Sequence, residues 1–460
     1  MQDTNTPRVD HRPVLAHIYG LRLFYQPRRR RQISQFLGGM TLLLYCARAL
    51  QQLLQLHGES LRWDFVQFYR AAQELNRGAD PYRAFLATCS GVHWCPGGYI
   101  FPPLLAELLR PLAILHLETA AALWLLISHA LLGCAILVVW RTVRGWLSPT
   151  VLALLLAATL FFLPLYQSLY FLQVAVLLLF LLALAASALV ARDVSNRWRS
   201  GVWLGLACIL RVSPVLLTPV LALPRRDAAG KGRIELGGAV ALVATTAVLL
   251  LALLLATPAT GEYFTTVLPR LSAGTAVLDN QSLPGFVERA SQLLLRQTPS
   301  STPITSAAAV VFVGLPWLVA WRRAGTNDPR VRAALFGVFL AAMPVASSIT
   351  WQHHLVSELL VYPLLAPLLI AASPQRAGRL ALKLAVVSYP MMWVDRHITD
   401  AIVIGLHLNQ PSGLRIIPFL LITSLNLWGA ICLWGASLLL LSSAGQEVDR
   451  DPVAIRVGPD

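Results

Sequence analysis

One acidic residue, Asp64, lies where a long apolar segment gives way to a polar loop. The segment 63–69 reads WDFVQFY, and its aromatic side chains recur near helical spacing, which predicts a helix lying on an apolar surface. The carboxylate of Asp64 has two interpretations at this position. It is either the N-cap of that helix or a general base that takes a proton from a substrate.

Basic and amide side chains mark further positions suited to substrate binding. Arg211 falls inside an apolar segment, in the run 211–214 that reads RVSP. A guanidinium there or at Arg270 could bind a phosphate group. Asn280 and Gln281 carry amides, which hydrogen-bond hydroxyl groups and therefore suit a sugar.

Two adjacent histidines, His353 and His354, end the stretch 347–354, which reads SSITWQHH. Neighbouring positions on a helix point in different directions, so we expect one ring to face a cavity and do not expect both to bind one metal ion. Glu358 follows His354 by four residues, a spacing that predicts a pair on one helix face. Ionisable residues inside apolar spans are typical of functional sites.

The composition defines the surroundings of these residues. Of 460 residues, 56% are hydrophobic and 13% are charged, whereas a soluble domain has about 25% charged residues. Stretches such as 151–163 and 174–191 contain no charge. This excludes a soluble globular protein, a disordered chain and a disulfide scaffold. Since about 20 apolar residues span a bilayer, we predict an all-α polytopic membrane protein with about 10–12 transmembrane helices.

The charge pattern predicts the orientation. Net charge is +15, and in a membrane protein basic residues collect in cytoplasmic loops, so no nucleic-acid partner is expected. The run Arg28–Arg31 precedes the first apolar segment, Phe36–Leu56. We therefore predict a cytoplasmic N-terminal segment, 1–35, a transmembrane domain, 36–442, and a cytoplasmic disordered tail, 443–460, in the plasma membrane.

Two long loops then face the exoplasmic side, 57–118 and 258–303. Long loops in compact proteins tend to be functional, so the candidate site is expected at the exoplasmic membrane face. Interfacial helices are predicted in the first loop, where Asp64 lies.

The segment Gly201–Leu223 does not fit a simple alternation of spans, because basic residues flank it at both ends. Pro214 in its middle removes a backbone donor and disfavours helix at the residue before it. We predict two half-helices that enter and return, with the break lining a cavity, since irregular backbone at membrane depth needs such cover. A single kinked span is the alternative.

The cysteines permit one disulfide. Cys89 and Cys95 lie in the first predicted exoplasmic loop, where oxidation is possible, and they are a candidate pair. With His93 as the only histidine between them, they do not supply the four ligands of a zinc site. No metal and no cofactor is predicted.

Several of these motifs, in this order, resemble glycosyltransferase family 87. The resemblance rests on WDF at 63–65, the Gly78…Asp80-Pro81-Tyr82 turn, FPPL at 101–104, LQV at 172–174, RVSP at 211–214, NQSL at 280–283 and SITWQHH at 348–354. It departs from the family at three places, where members often carry Gly-Gln-Val-Asn at 172–175 in place of LQVA, lysine at 211 and aspartate at 352.

The resemblance implies a C-type membrane glycosyltransferase fold and an inverting transfer on the exoplasmic face. The donor is expected to be a polyprenyl-phosphate sugar, with mannose as the sugar, and the acceptor a lipid or glycan held among membrane lipids. Asp64 takes the position of the catalytic base. The residues expected to bind the phosphate or the sugar of the donor are Arg211, Arg270, His353, His354, Asn280, Gln281 and Gln173.

Two other functions share parts of this pattern. A transporter or flippase of lipid-linked sugars would also have a lipid-facing groove and an intramembrane arginine, and it would show pseudo-symmetric halves. In a non-catalytic membrane subunit, Asp64 and His354 would not converge on one cavity. The enzyme requires Asp64, Arg211 and one of the two histidines around one cavity.

Overall fold

A computed structural model describes the chain over residues 27–56, 63–88, 98–191, 197–226, 232–234, 236–297, 301–323, 328–409 and 411–443. Residues 1–26 and 444–460 lie outside these ranges, and so do Cys89 and Cys95, the predicted disulfide.

The described chain is almost entirely helical. Its α-helices are α1 Pro27–Leu54, α2 Trp63–Asn76, α3 Arg83–Thr88, α4 Pro103–Leu109, α5 Leu117–Val143, α6 Pro149–Leu160, α7 Leu163–Tyr170, α8 Ala175–Val190, α9 Trp198–Leu210, α10 Gly237–Ala256, α11 Ala259–Glu262, α12 Leu268–Ser272, α13 Leu283–Leu295, α14 Ser301–Ala309, α15 Leu315–Arg323, α16 Pro329–Ala346, α17 Val361–Ala372, α18 Arg376–Trp393, α19 Arg396–Gly405, α20 Ile416–Thr423 and α21 Leu425–Ser443.

Other regular elements connect or extend these helices. The 3₁₀-helices are Leu112–Ile114, Ser213–Ala222, Gln352–Leu360 and Gly413–Arg415, and the π-helices are Tyr263–Val267 and Val310–Gly314. A two-stranded antiparallel pair joins Pro224–Arg226 to Gly232–Ile234, with Arg225 opposite Arg233.

Membrane-spanning helices are confirmed. By length and apolar composition, seven described helices could cross a membrane, or eight if the pair α6 and α7, bent by 45°, counts as one span. The ten to twelve predicted spans also included apolar segments that form shorter helices, among them α8 and α9. Helix α1 begins earlier than the apolar pattern indicates, because it starts at Pro27 and includes the whole arginine run Arg28–Arg31. The part of α1 that is apolar enough to span is Arg31–Leu54.

The core is built around α16. Every side chain of this helix from Ala333 to Ala346 is buried, so the helix is apolar all round, as expected of a central element. Helix α21 and the span that begins at Gln352 pack against it. This bundle provides the rigid wall that carries the segment 347–354.

The segment 198–222 is broken as predicted. Helix α9 ends at Leu210, Arg211 is extended (φ −155°, ψ 136°), and a 3₁₀-helix begins at Ser213. A methyl group on Gly238 would lie 3.3 Å from Leu221 Cδ2 and 3.8 Å from the Arg197 carbonyl oxygen. The end of the 3₁₀-helix therefore returns to the start of α9, and the break at Arg211 is the tip of a re-entrant segment.

Helix α2 is held by aromatic packing. Phe68 contacts Tyr99 and Phe101 edge to face, with ring centroids 6.4 and 5.1 Å apart. The hydroxyl of Tyr82 donates to the Phe101 carbonyl at 2.8 Å, and its ring lies 5.8 Å from that of Tyr263. Aromatic pairs in such geometry stabilise by about 0.5–1.5 kcal/mol each beyond area burial, so the position of α2 is well defined.

Glycines let α9 approach α10 closely. Gly201 and Gly205 are four residues apart on α9, and a methyl group at Gly201 would overlap the carbonyl oxygen of Gly238. At Gly205 a methyl group would lie 3.1 Å from the Leu242 carbonyl oxygen. This is the small-xxx-small arrangement by which membrane helices pack backbone to backbone.

We predict that Gly201→Ala destabilises the protein by about 1–3 kcal/mol, because α9 and α10 have to separate to admit the methyl group. Thermal unfolding in detergent, followed by size-exclusion chromatography, measures the effect. Gly237→Ala is the matched control, since nothing lies within 4 Å of its added methyl group. Equal thermal stability of Gly201→Ala and Gly237→Ala would contradict the close crossing.

Candidate active site

A cavity of about 710 Å³ brings the first loop, the re-entrant tip and the histidine segment together. Of the predicted site residues, those that line it are Asp64, Gln173, Arg211, Gln281, His353 and His354. The three groups that the enzyme requires therefore surround one cavity, which is the arrangement not expected of a non-catalytic subunit.

Asp64 lies within the first turn of α2, which begins at Trp63, and not at the cap position. Its Oδ2 accepts a hydrogen bond of 2.6 Å from the Nε2 of Gln173. Within the described residues, no Lys, Arg or His pairs with it. Burial raises the pKa of the Asp64 carboxyl, and the hydrogen bond from Gln173 lowers it by a smaller amount. A carboxylate with a raised pKa binds a proton more readily and suits a general base.

A strained turn directs Gln173 toward Asp64. Leu172 has φ +55°, a left-handed conformation that costs a residue with a side chain roughly 1–2 kcal/mol. The indole Nε1 of Trp124 donates to the Leu172 carbonyl at 2.8 Å and holds the turn. A glycine would adopt this conformation without that cost.

Arg211 is held by His354. Arg211 Nη2 lies 2.6 Å from His354 Nδ1, and the Trp351 backbone N–H donates to the same Nδ1 at 3.0 Å. A nitrogen that accepts two donors carries no proton, so this geometry assigns His354 as the neutral tautomer protonated at Nε2. His354 therefore orients Arg211 and adds no positive charge. The His353 ring stands perpendicular to that of His354, with centroids 4.5 Å apart.

Arg211 retains its charge for a ligand. Within the described residues it forms no ion pair, and its side chain lines the same cavity as the carboxylate of Asp64.

The pair predicted between His354 and Glu358 is wrong. The helix at 352–360 is 3₁₀, so positions four apart do not stack, and neither carboxyl oxygen of Glu358 has a hydrogen-bond partner.

Asn280 is fully buried and is not among the described residues that line the cavity. Its Nδ2 donates to the carbonyls of Thr275 and Ser348 at 2.8 and 3.0 Å. Its Oδ1 accepts from the backbone N–H of Thr350 at 2.9 Å and of Ser282 at 3.2 Å. With both ends satisfied by the protein, Asn280 ties the second loop to the histidine segment.

The side-chain amide of Gln281 also bonds backbone groups of the protein, but only through its nitrogen. Its Nε2 donates to the carbonyls of Leu278 and Thr423 at 2.7 and 2.9 Å, while its Oε1 has no hydrogen-bond partner. Arg270 lies on α12, but the described residues through which α12 lines the cavity are Leu268, Leu271 and Ser272. The structure thus does not bring Arg270 into the cavity with Arg211.

A charged rim completes the cavity and was not found from the sequence. Arg396 Nη1 lies 2.6 Å from Asp279 Oδ2, and its Nε lies 3.4 Å from Asp400 Oδ2. Asp395 caps α19 by accepting from the Ile398 N–H at 2.8 Å. Asp279 lies in the loop before α13, whereas the other three lie at the start of α19, and only the clustering of charges in 395–400 could have drawn attention to them.

Two further cavity residues were also missed. Tyr263 is buried, and burial raises the pKa of its phenol while the charge of Arg211 lowers it. Gln167 donates to Gln352 Oε1 at 2.7 Å. Gln352 in turn donates to the Val394 carbonyl at 2.8 Å, which fixes the orientation of its amide.

Comparison with known proteins identifies the class. The family model of glycosyltransferase family 87 matches residues 99–348, more than half of the chain, and the chain belongs to this family. It is a membrane-spanning glycosyltransferase, and this membership favours the enzyme over the transporter alternative. The matched range contains Gln173 and Arg211 and leaves Asp64 and His354 outside it.

The chain also matches a solved structure. The crystal structure of ArnT from Cupriavidus metallidurans bound to undecaprenyl phosphate matches at 15% sequence identity and a TM-score of 0.40, covering 88% of this chain and 78% of that chain. No curated protein sequence matches significantly.

We predict that Gln173→Leu shifts the acid limb of the pH–rate profile to higher pH. The ionised carboxylate of Asp64 is the active form of a base, so the rate falls as pH drops through its pKa. Removing the hydrogen bond from Gln173 raises that pKa further. Transfer rates measured across pH test this. Gln167→Leu, a cavity glutamine bonded to Gln352 instead, should leave the acid limb in place, and an equal shift in both variants would contradict the prediction.

Proposed function

We propose that this protein transfers a sugar, mannose, from a polyprenyl-phosphate donor to the hydroxyl of a lipid or glycan acceptor, with inversion at the anomeric carbon. The exoplasmic face of the plasma membrane is the proposed side of the reaction, as the basic residues predict. One observation carries the proposal: a carboxylate, Asp64, and a guanidinium, Arg211, line one cavity without pairing with each other.

The unpaired charges define two ends of a substrate. Opposite charges within 4 Å would form a salt bridge, and the structure has none between these residues. An anionic group of the donor fits beside Arg211 and a proton-bearing hydroxyl fits beside Asp64. A sugar phosphate flanked by an acceptor hydroxyl has this distribution of charge.

The lipid part of the donor explains why the site belongs to a membrane protein. A polyprenyl chain stays in hydrocarbon, whereas its sugar phosphate cannot enter it, so the reacting atoms are confined to the interface. ArnT from Cupriavidus metallidurans is bound to undecaprenyl phosphate, which is a lipid of this class. The apolar lining of the cavity next to Arg211, with Val212, Val215 and Leu216, suits the first part of such a chain.

Bond making and breaking then follow from the placement of the charges. The acceptor oxygen attacks the anomeric carbon, its proton passes to the carboxylate of Asp64, and the bond from the anomeric carbon to the phosphate oxygen breaks. The phosphate leaves with the electron pair, and Arg211 stabilises its growing negative charge. His354 keeps the guanidinium oriented while remaining neutral, so the phosphate meets a preorganised cation.

The charged rim supports a place for the acceptor. Asp279, Asp395, Arg396 and Asp400 offer carboxylate acceptors and guanidinium donors at the cavity, and such groups hydrogen-bond sugar hydroxyls. The rim lies on different elements from Arg211. Donor and acceptor could therefore occupy the cavity together, as an inverting single displacement requires.

We predict that Asp64→Asn lowers the transfer rate by about 10²–10⁴-fold, the range attributed to general base catalysis. Asparagine keeps the size of the side chain and an oxygen for Gln173, so expression and thermal stability should remain normal. Incubation with radiolabelled polyprenyl-phosphate mannose and a lipid extract as acceptor measures the transfer.

Asp80→Asn is the matched control for this variant. Asp80 lies in the same loop, where its Oδ1 accepts from the Tyr82 N–H at 2.9 Å, and it is not among the described residues that line the cavity. Asparagine preserves that acceptor, so this variant should transfer at the wild-type rate. Near-complete activity of Asp64→Asn would remove the base from the proposal.

We predict that Arg211→Ala raises the KM for the lipid-linked donor and lowers kcat, because the cation acts on the phosphate in both the ground and transition states. A loss of about 1.5–3 kcal/mol, typical of a hydrogen bond to a charged group, corresponds to roughly 10–150-fold in kcat/KM. Arg211→Lys keeps the charge and should retain more activity than Arg211→Ala. Unchanged dependence on donor concentration in Arg211→Ala would exclude the phosphate role.

A further inference from the structure

A second cavity, of about 1170 Å³, lies apart from the active site and shares no lining residue with it. We call it the α1–α6 groove. Helices α1, α5 and α6 form most of its wall, and Ser34 Oγ of α1 bonds Thr150 Oγ1 of α6 at 3.0 Å. Nothing in the proposed transfer reaction uses this groove.

The groove is polar at one end and apolar along the rest. Arg31, Gln35 and Arg144 lie at the polar end. Leu155, Leu156, Leu179, Leu359 and Leu360 line the remainder. The hydroxyl side chains among the described lining residues are Ser34, Ser148, Thr150 and Thr159. A ligand that fits such a surface has a polar head and a hydrocarbon tail.

The length of the groove corresponds to one leaflet. Along α6 it runs from Ser148 to Thr159, which is about 16 Å at 1.5 Å per residue. The hydrocarbon core of a bilayer is about 30 Å thick, so the groove covers about half of it. Fatty acyl chains are of this length, whereas a polyprenyl chain is several times longer.

The charge at the polar end is entirely positive. Within the described part of the chain, neither Arg31 nor Arg144 forms an ion pair, and no carboxylate lines the groove. The guanidinium of Arg144 lies 4.8 Å from the centre of the Trp140 ring, a cation–π contact of a kind suited to the membrane interface. Two unpaired cations above an apolar groove attract an anionic headgroup.

We propose that the α1–α6 groove is a binding site for an anionic phospholipid, with its phosphate between Arg31 and Arg144 and an acyl chain along α6. Both arginines fall in predicted cytoplasmic segments, and anionic lipids are abundant in the cytoplasmic leaflet. The site is independent of the sugar transfer, because it shares no residue with the active-site cavity.

Native mass spectrometry of the full chain in neutral detergent tests the site, with phosphatidylglycerol as the probe and phosphatidylcholine as the neutral comparison. We expect phosphatidylglycerol to bind roughly 30-fold more tightly, from the typical contribution of two basic residues near a lipid surface. Arg31→Gln with Arg144→Gln should abolish the preference. Arg29→Gln is the matched control, since Arg29 is exposed on the same helix and does not line the groove.

A second pair of variants tests the acyl chain. Gly38 lines the groove and Gly39 does not, and neither has an atom within 4 Å of an added side-chain carbon. Gly38→Leu should therefore fold and fill the groove, lowering phosphatidylglycerol retention at least tenfold, while Gly39→Leu should retain the lipid as the wild type does.

Three results would overturn the proposal. These are equal binding of the two phospholipids, equal retention of phosphatidylglycerol by Gly38→Leu and Gly39→Leu, and displacement of phosphatidylglycerol by undecaprenyl phosphate at equal concentration. None of them depends on sugar transfer, so failure of this site and failure of the proposed reaction are distinguishable.

Discussion

A guanidinium within an apolar segment has to be hydrogen-bonded, because a charge removed from water without a partner is strongly destabilising. Arg211 meets this requirement through the Nδ1 of His354, at 2.6 Å. The bond joins the tip of the re-entrant segment to the beginning of a span packed on the central helix α16. One buried charge thus connects the break in the backbone to the histidine segment, and both line the same cavity.

Burial imposes the same requirement for a hydrogen-bond partner on Asp64, which lines the same cavity. Its carboxylate is satisfied by an amide, Gln173, and not by a cation. An arginine in place of Gln173 would hold the carboxylate ionised and occupied, whereas a neutral donor fixes its position and leaves it able to accept a proton. Leu172 adopts a left-handed backbone conformation to present this amide, so local strain at the turn is compensated by the bond from Trp124 and by the packing of the helices around it.

Sequence patterns identified most of the site and misjudged some roles. Six of the predicted residues line the cavity, among them Asp64 and Arg211. Asn280 was expected to bind sugar because of its side-chain amide, yet the described bonds of that amide are to backbone groups, those of Thr275 and Ser282 in its own loop and of Ser348 and Thr350 in the histidine segment. The His354–Glu358 pair assumed an α-helix where the backbone is 3₁₀. In each case the residue type was informative, and the partner depended on contacts that sequence spacing does not encode.

The sequence by itself determined the membrane class, the helical architecture, the break near Pro214 and the family, because hydropathy, proline and short motifs act locally along the chain. Only the tertiary structure decided that Asp64 faces Gln173, that His354 is a neutral partner of Arg211, and that Asp279 meets Arg396 across 117 positions. It also decided that two cavities with different linings lie between the helices. The physical reason is that a buried charge is stabilised by whichever group the packed helices bring beside it, and that neighbour is set by the packing of whole helices and not by the residues next to it in the chain.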